Sequence, residues 1–228
     1  MKSLNIKDTV DLKQTLLKHG LVKVSSPNPL TIEQFESIAL SLGKPLITDK
    51  HVLNEARTVQ ELSTNGLFSN GDVDWHHDWS YGRGNYFGTI LYNVKNAHLS
   101  PTWFCDMSNA PNDLLEMYKD AVGNYYPPTH LHNQCFTEKQ LRLLEKQKVN
   151  RPFHIKHHVT DEDILYCSIS TLQDNEVDLK PIVDWIEDNS YKHEWQDNEI
   201  LIWDNLKMQH KRIAFEGERL LWRTQFII

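Results

Sequence analysis

Trp75-His76-His77-Asp78 is the segment of this 228-residue chain whose side-chain types and spacing could do chemistry. In an extended backbone successive side chains alternate faces, so His76 and Asp78 point to one side and His77 to the other. Two donors on one side of a strand can share a metal ion. A third ligand has to come from elsewhere, and His210 is the best candidate. It stands just past Trp203-Asp204-Asn205, a strand ending in a polar turn, and just before another strand. Two imidazoles and one carboxylate occupy one face of an ion and leave the other open, which suits Fe(II) and dioxygen chemistry better than a closed structural zinc site. An H-x-D triplet also occurs among ordinary polar loop residues, so on these residues alone both readings stand.

The elements that must position these residues follow from periodicity. Residues 7–43 read as helix, strand, helix: Leu12, Leu16 and Leu17 recur at helical spacing before Gly20, and Thr31 with Gln34 forms a capping box ahead of Phe35, Ile38, Ala39 and Leu42. Strands are predicted over 58–62, 86–94, 102–106, 164–168, 191–196, 199–203 and 220–228, and helices over 112–121, 137–148 and 178–190. Residues 63–85 are rich in Asn, Gly, Asp and Ser, an irregular stretch of the length that usually carries function. The mixture predicts one α+β domain, residues 1–228, built around a β-sandwich or barrel with flanking helices.

Composition narrows the class. Hydrophobic residues make up 39% of the chain and charged residues 24%, with 9 Gly and 9 Pro, which excludes disordered and collagen-like chains. The balance of 24 basic against 31 acidic residues gives a net charge of −7, and Lys and Arg form no long run, so no nucleic-acid partner is expected. No apolar run approaches the roughly 18 residues of a membrane span, and Met1-Lys2-Ser3-Leu4-Asn5 lacks the apolar core of a secretory signal. No membrane partner is expected, and the expected location is cytoplasmic. Three cysteines without a C-x-x-C agree with that and leave disulfide and zinc-ribbon readings weak. His130, His132, His154, His157 and His158 read as solvated loop residues, and Cys105 as core filling.

In this context the sequence resembles the taurine dioxygenase-like (TauD/TfdA) family of Fe(II)- and 2-oxoglutarate-dependent oxygenases. The resembling stretches are Trp75-His76-His77-Asp78, Pro101-Thr102-Trp103-Phe104 with Asp106-Met107, and Trp203-Asp204-Asn205 through His210 to Arg219-Leu220-Leu221-Trp222-Arg223-Thr224. His19-Gly20-Leu21-Val22 and Leu42-Gly43-Lys44-Pro45 resemble the family's opening elements. The resemblance implies a double-stranded β-helix (jelly-roll) core, and Fe(II) held by His76, Asp78 and His210. It also implies 2-oxoglutarate as cosubstrate, its distal carboxylate bound by Thr102 and Arg223, and O2 as second cosubstrate. The implied reaction hydroxylates a C–H bond and releases succinate and CO2. Asp78 stands where related halogenases carry a small residue, so hydroxylation is expected.

A guanidinium offers a planar fork to a carboxylate, and the segment around Arg223 is apolar enough that a buried Arg there demands an anion. Arg219 shares a strand face with Leu221, Arg223 and Gln225 and is a second candidate at the mouth of the same cavity. The acidic run Gly71-Asp72-Val73-Asp74 differs from the neutral or basic residues that sulfonate-specific members carry there. Alternation puts Asp72 and Asp74 on the side of His76 and Asp78, so the expected substrate is a small amine-bearing molecule such as an amino acid. The competing classes are an oxygenase acting on a protein or nucleic-acid group and a metal-binding jelly roll without catalysis.

Overall fold

The computed structural model describes residues 1–5, 11–48, 51–66, 69–82, 87–127, 138–139, 142, 146, 149–173 and 176–227. Strand β1 (Lys2–Asn5) is followed by helix α1 (Leu12–His19), β2 (Leu21–Ser25) and α2 (Ile32–Leu42), the helix-strand-helix order read from periodicity. Asp11 caps α1 by accepting the Gln14 amide, and Gly20 closes it with φ 65°, a left-handed angle that favours glycine. Thr31 and Gln34 form the expected capping box of α2. Short β3 (Lys44–Pro45) and β4 (Gln60–Ser63) lead to β5 (Val73–His76), then β6 (Phe87–Lys95) and β7 (Thr102–Asp106).

Helix α3 (Asn112–Met117) ends before the 121 predicted for it. The chain turns instead into β8 (Val122–Tyr125), because the Ala121 carbonyl accepts the Phe153 amide and the ladder with β9 (Val149–Pro152) continues from there. Most of the helix predicted at 137–148 lies outside the described residues, as do His130, His132 and Cys135. The remaining elements are β10 (His154–Lys156), β11 (Asp163–Leu165), β12 (Leu172–Gln173), α4 (Lys180–Asn189), β13 (Tyr191–His193), β14 (Glu199–Asp204), β15 (Met208–Arg212) and β16 (Leu220–Ile227).

Two sheets form the frame of this mixed α/β structure. The larger runs β1-β2-β14-β6-β16, with β4 and β3 following one another along the outer edge of β16; the smaller runs β13-β7-β15-β5. Alternation along the strands sorts their residues into layers. Val22, Val24, Ile90, Tyr92, Ile200, Ile202 and Phe226 face α1 and α2, packing on Leu16, Phe35, Ala39 and Leu42. Their neighbours Leu21, Leu91, Leu201, Trp203 and Leu221 face inward and meet Phe104 and Met208 of the smaller sheet. Behind the smaller sheet Trp75, Cys105 and Met107 join α3, α4 and the short strands in a third cluster. No described helix is long and apolar enough to cross a membrane.

Candidate metal centre

His76 closes β5 and His210 sits in the middle of β15, and the antiparallel register makes the two direct cross-strand partners. Their rings lie 4.1 Å apart between centroids, on the inward face of the smaller sheet. Asp78 lies two residues beyond His76, just before a turn in which Trp79 takes φ 56°. Its Oδ1 is 3.6 Å from His76 Nε2 and 3.8 Å from His210 Nε2. All three candidate ligand atoms fall within 4.8 Å of one another.

His76 and Asp78 are each held by a second contact, whereas His210 Nδ1 meets no hydrogen-bond partner among the described residues. The Asp74 carbonyl lies 2.8 Å from His76 Nδ1, so that nitrogen carries the proton and Nε2 presents its lone pair to the centre. The Asp78 backbone and the Asn205 side chain bond reciprocally: Asp78 N–H donates to Asn205 Oδ1 and Asn205 Nδ2 donates to the Asp78 carbonyl, both at 2.8 Å. Thr89 Oγ1 and Gln225 Nε2 each donate to Asp78 Oδ2 at 3.0 Å. The indole of Trp79 donates to Gln225 Oε1 at 3.2 Å, which fixes the orientation of that amide, since an indole nitrogen can only donate. Asp78 Oδ2 is thereby committed to the protein and Oδ1 is left for an ion.

The charges agree with a metal site. Burial works against a charged Asp78, but His76 beside it and the nearby His210 and Arg223 hold its carboxyl well below the usual carboxylate range. Burial, then His76, pushes the His210 imidazole well down, to the neutral form that can ligate. His77 points the other way, as alternation requires. It is buried, stacks on Tyr166 with centroids 4.4 Å apart and lies 2.8 Å from the Asn205 carbonyl through Nδ1, and burial lowers it to about 3.

A cavity opens beside the three ligands, with Thr102, Arg219 and Arg223 in its wall and Leu91, Leu221 and Phe215 as apolar lining. Arg219 is buried over the Phe215 ring, 5.4 Å from its centroid. Among the described residues no acceptor meets its Nε. Burial, with Arg212 close by, lowers it to about 9, and among the described residues this guanidinium meets no anion to offset its burial. Arg212 shares the Phe215 ring and faces Thr102 across the β15–β7 register. Arg223 lies deeper, bonded to Gln60 Oε1 through Nε (3.0 Å) and Nη2 (2.7 Å), with Asp78 and Tyr81 as its charged and titratable neighbours.

Two expectations from sequence are corrected. Asp72 and Asp74 are exposed and absent from the cavity wall, where only the intervening Val73 appears. Asp72 instead accepts the Ala214 amide at 2.6 Å and offsets the charge of Arg212, and Asp74 bonds the Trp75 amide. β5 does alternate, but its buried set is Val73 and Trp75, and the carboxylates point outward. His157 is not solvated: it is buried with Nε2 2.9 Å from Asp204 Oδ2, while the partly exposed His154 pairs with Asp163. Trp222 packs with Phe35 and Tyr92 on the helix side, away from the cavity. Cys105 fills core space as expected, its thiol pushed up to about 12 by burial. Thr89, Gln60 and Trp195 carry no spacing signal of their own. Gln225 was marked only by its alternation with Arg223.

The family described as "Taurine catabolism dioxygenase TauD, TfdA family" matches residues 2–225. No curated protein sequence matches. Among solved structures the chain is similar to AAD-2 in complex with Mn(II) and N-oxalylglycine, with a TM-score of 0.72, 17% identity, and 99% of this chain and 94% of that one covered. It is similar to a taurine dioxygenase from Burkholderia xenovorans with a TM-score of 0.71 and 17% identity, covering 98% and 83%. PvcB, an Fe, alpha-ketoglutarate dependent oxygenase from an isonitrile synthetic pathway, gives a TM-score of 0.67 and 17% identity over 94% and 78%. At such identities these likenesses show the fold.

The two adjacent histidines should separate cleanly. Replacing His76 with Ala removes metal binding, measured by Mn(II) titration, with little loss of stability. His77→Ala lowers unfolding stability by about 2–4 kcal/mol in urea titration and leaves Mn(II) affinity of the folded protein nearly unchanged. Gln225→Leu, which leaves Asp78 Oδ2 held by Thr89 alone, should weaken Mn(II) binding about 10- to 100-fold without a matching fall in stability.

Proposed function

The chain belongs to the taurine catabolism dioxygenase TauD, TfdA family, and we propose that it hydroxylates an aliphatic C–H bond of a small anionic molecule at the His76, Asp78, His210 centre. It is an Fe(II)- and 2-oxoglutarate-dependent dioxygenase that uses O2. The observation that carries the reading is the convergence of the three ligand atoms beside a cavity that also holds a buried guanidinium in need of an anion. We read the two-sheet frame as the double-stranded β-helix, or jelly roll, and residues 1–228 as one oxygenase domain. Buried free thiols at Cys105 and Cys167 suit a reducing cytoplasmic location.

The donor set fits both groups. Two imidazoles and one carboxylate suit Fe(II) and leave one face open. With 2-oxoglutarate and O2 bound, iron in such a centre supplies the oxidising power for hydroxylation while the cosubstrate leaves as succinate and CO2. The protein's part is positioning. Thr89 and Gln225 keep Asp78 singly available, the Asp74 carbonyl aims the His76 lone pair, and Leu91, Leu221 and Phe215 exclude water from the cavity. We assign the distal carboxylate of 2-oxoglutarate to Arg219 with Thr102, in place of the Arg223 expected from the resemblance. Arg219 is the guanidinium without an acceptor at Nε, and it shares the Phe215 ring with Arg212, the cross-strand partner of Thr102.

The substrate reading changes with the geometry. An amine-bearing substrate rested on Asp72 and Asp74, which face solvent. The wall carries Arg212, Arg219 and Arg223 against Asp78 as its acid. With the distal carboxylate of 2-oxoglutarate assigned to Arg219, Arg212 and Arg223 are still two cations in a wall whose one acid is Asp78, which favours a carboxylate or sulfonate over an ammonium.

Succinate release coupled to substrate loss, measured over matched panels of small carboxylates, sulfonates and amines, tests this. Turnover is expected among the anions, and turnover confined to amines lacking an acid group contradicts it. In the same assay Arg219→Leu should raise half-saturating 2-oxoglutarate about 30-fold or more, the cost of removing a buried charge-assisted partner. Arg223→Leu should act mainly on the half-saturating concentration of the primary substrate. The reverse pattern returns the cosubstrate to Arg223.

A further inference from the structure

Thr102 opens β7 and is buried in the cavity wall with its hydroxyl already engaged: the indole Nε1 of Trp195 lies 3.0 Å from Thr102 Oγ1. Tryptophan has no acceptor, so the direction of this bond is fixed and Thr102 Oγ1 accepts. A threonine hydroxyl has one proton to give. Among the described residues no hydrogen bond takes that proton, although a buried hydroxyl normally finds an acceptor. Accepting from the indole also strengthens the hydroxyl as a donor, since hydrogen bonds in series polarise one another.

Trp195 is itself held with more care than packing requires. It is 2% exposed and sits in the turn between β13 and β14. On one side of it His193 Nε2 lies 2.7 Å from Glu199 Oε2; on the other the Gln196 amide donates to the same oxygen at 3.0 Å. One buried carboxylate thus clasps the chain before and after Trp195. Lys23 lies 3.2 Å from the other oxygen of Glu199, and Asn93 Nδ2 donates to the Gln196 carbonyl at 2.7 Å. The His193 ring stands edge-on to the indole, 5.3 Å between centroids. The register pairing His193 with Thr102 places this turn beside the start of β7.

We propose that Trp195 is a positioning residue for the cosubstrate pocket: by donating to Thr102 Oγ1 it turns the Thr102 hydroxyl proton into the cavity, where with Arg219 it forms a two-donor receptor for a carboxylate. The proposal rests on the reading that Thr102 and Arg219 receive the distal carboxylate of 2-oxoglutarate. Without the indole the hydroxyl rotor is released, and Thr102 can spend its proton elsewhere or present a lone pair to the anion. The side chain that sets the pocket's preference for an anion is then one that never touches it.

The test is a double-mutant cycle read by direct binding. Calorimetric titration of N-oxalylglycine into the Mn(II)-loaded protein is compared for the parent, Trp195→Phe, Thr102→Val and the double variant. Trp195→Phe is expected to weaken binding about tenfold, the size of one oriented hydrogen bond to an anion, and Thr102→Val by at least as much. The double variant should bind no more weakly than Thr102→Val, because the indole acts only through that hydroxyl. Parent-like binding by Trp195→Phe, or an equal further loss in the Thr102→Val background, overturns the role of Trp195 while leaving the pocket assignment intact. Unchanged binding by Thr102→Val overturns the pocket assignment as well. Should Trp195→Phe fail to fold, the 15N-labelled indole resonance of Trp195 reports in its place. It should move on adding 2-oxoglutarate to the parent loaded with diamagnetic Zn(II) and not in Thr102→Val, and a resonance indifferent to the ligand in the parent overturns the proposal.

Discussion

The cross-strand pairing of His76 with His210 is the constraint on which the site depends. Because side chains on adjacent antiparallel strands face one another only in register, a slip of β5 by one residue would bring His77 to the centre and send His76 to the core. Trp75 and His77 oppose such a slip. The Trp75 indole donates to Glu187 of α4 at 2.7 Å, and His77 fits between Tyr166 and the Asn205 carbonyl. The apolar cluster behind the smaller sheet therefore fixes which face of β5 looks inward, and the metal centre inherits that choice. Asp78, held through its backbone by Asn205 and through Oδ2 by Thr89 and Gln225, completes the triad from three other elements.

The second organising fact is positive charge held where water is scarce. Arg212, Arg219 and Arg223 all lie at the cavity, and burial lowers the pKa of each. Holding a buried cation costs free energy that a partner must offset. Arg212 finds the Ser69 and Gly71 carbonyls and the charge of Asp72, and Arg223 finds Gln60, Asp78 and Tyr81. For Arg219 the wall provides an aromatic face and a like charge. A site arranged in this way is completed by the anion it receives, which ties cosubstrate binding to the stability of the folded cavity.

Much of this was legible in the sequence where a local rule applied. The capping box at Thr31, the alternation that separates His76 from His77, and the apolar run of β16 are short-range signals, and the structure keeps all three. The signals that misled were those in which a tertiary partner decided the outcome. Asp72 was expected in the pocket because alternation groups it with His76, yet the Ala214 amide and the Arg212 charge draw it to the surface. Ala121 leaves the predicted helix because its carbonyl accepts the Phe153 amide at the head of the β8–β9 ladder, and His157 is buried because Asp204 meets it from 47 residues away. Gln60, Thr89 and Trp195 act through partners that only the folded register brings near, so no spacing in the chain marks them.

The most direct test is a crystal structure of the protein with Mn(II) and N-oxalylglycine. The metal should be bound by His76 Nε2, Asp78 Oδ1 and His210 Nε2, with Asp78 Oδ2 still on Thr89 and Gln225 and the distal carboxylate of the analogue on Arg219 and Thr102. A metal bound to both oxygens of Asp78, or an analogue whose distal carboxylate lies on Arg223 with Arg219 still without an anion, would contradict the account.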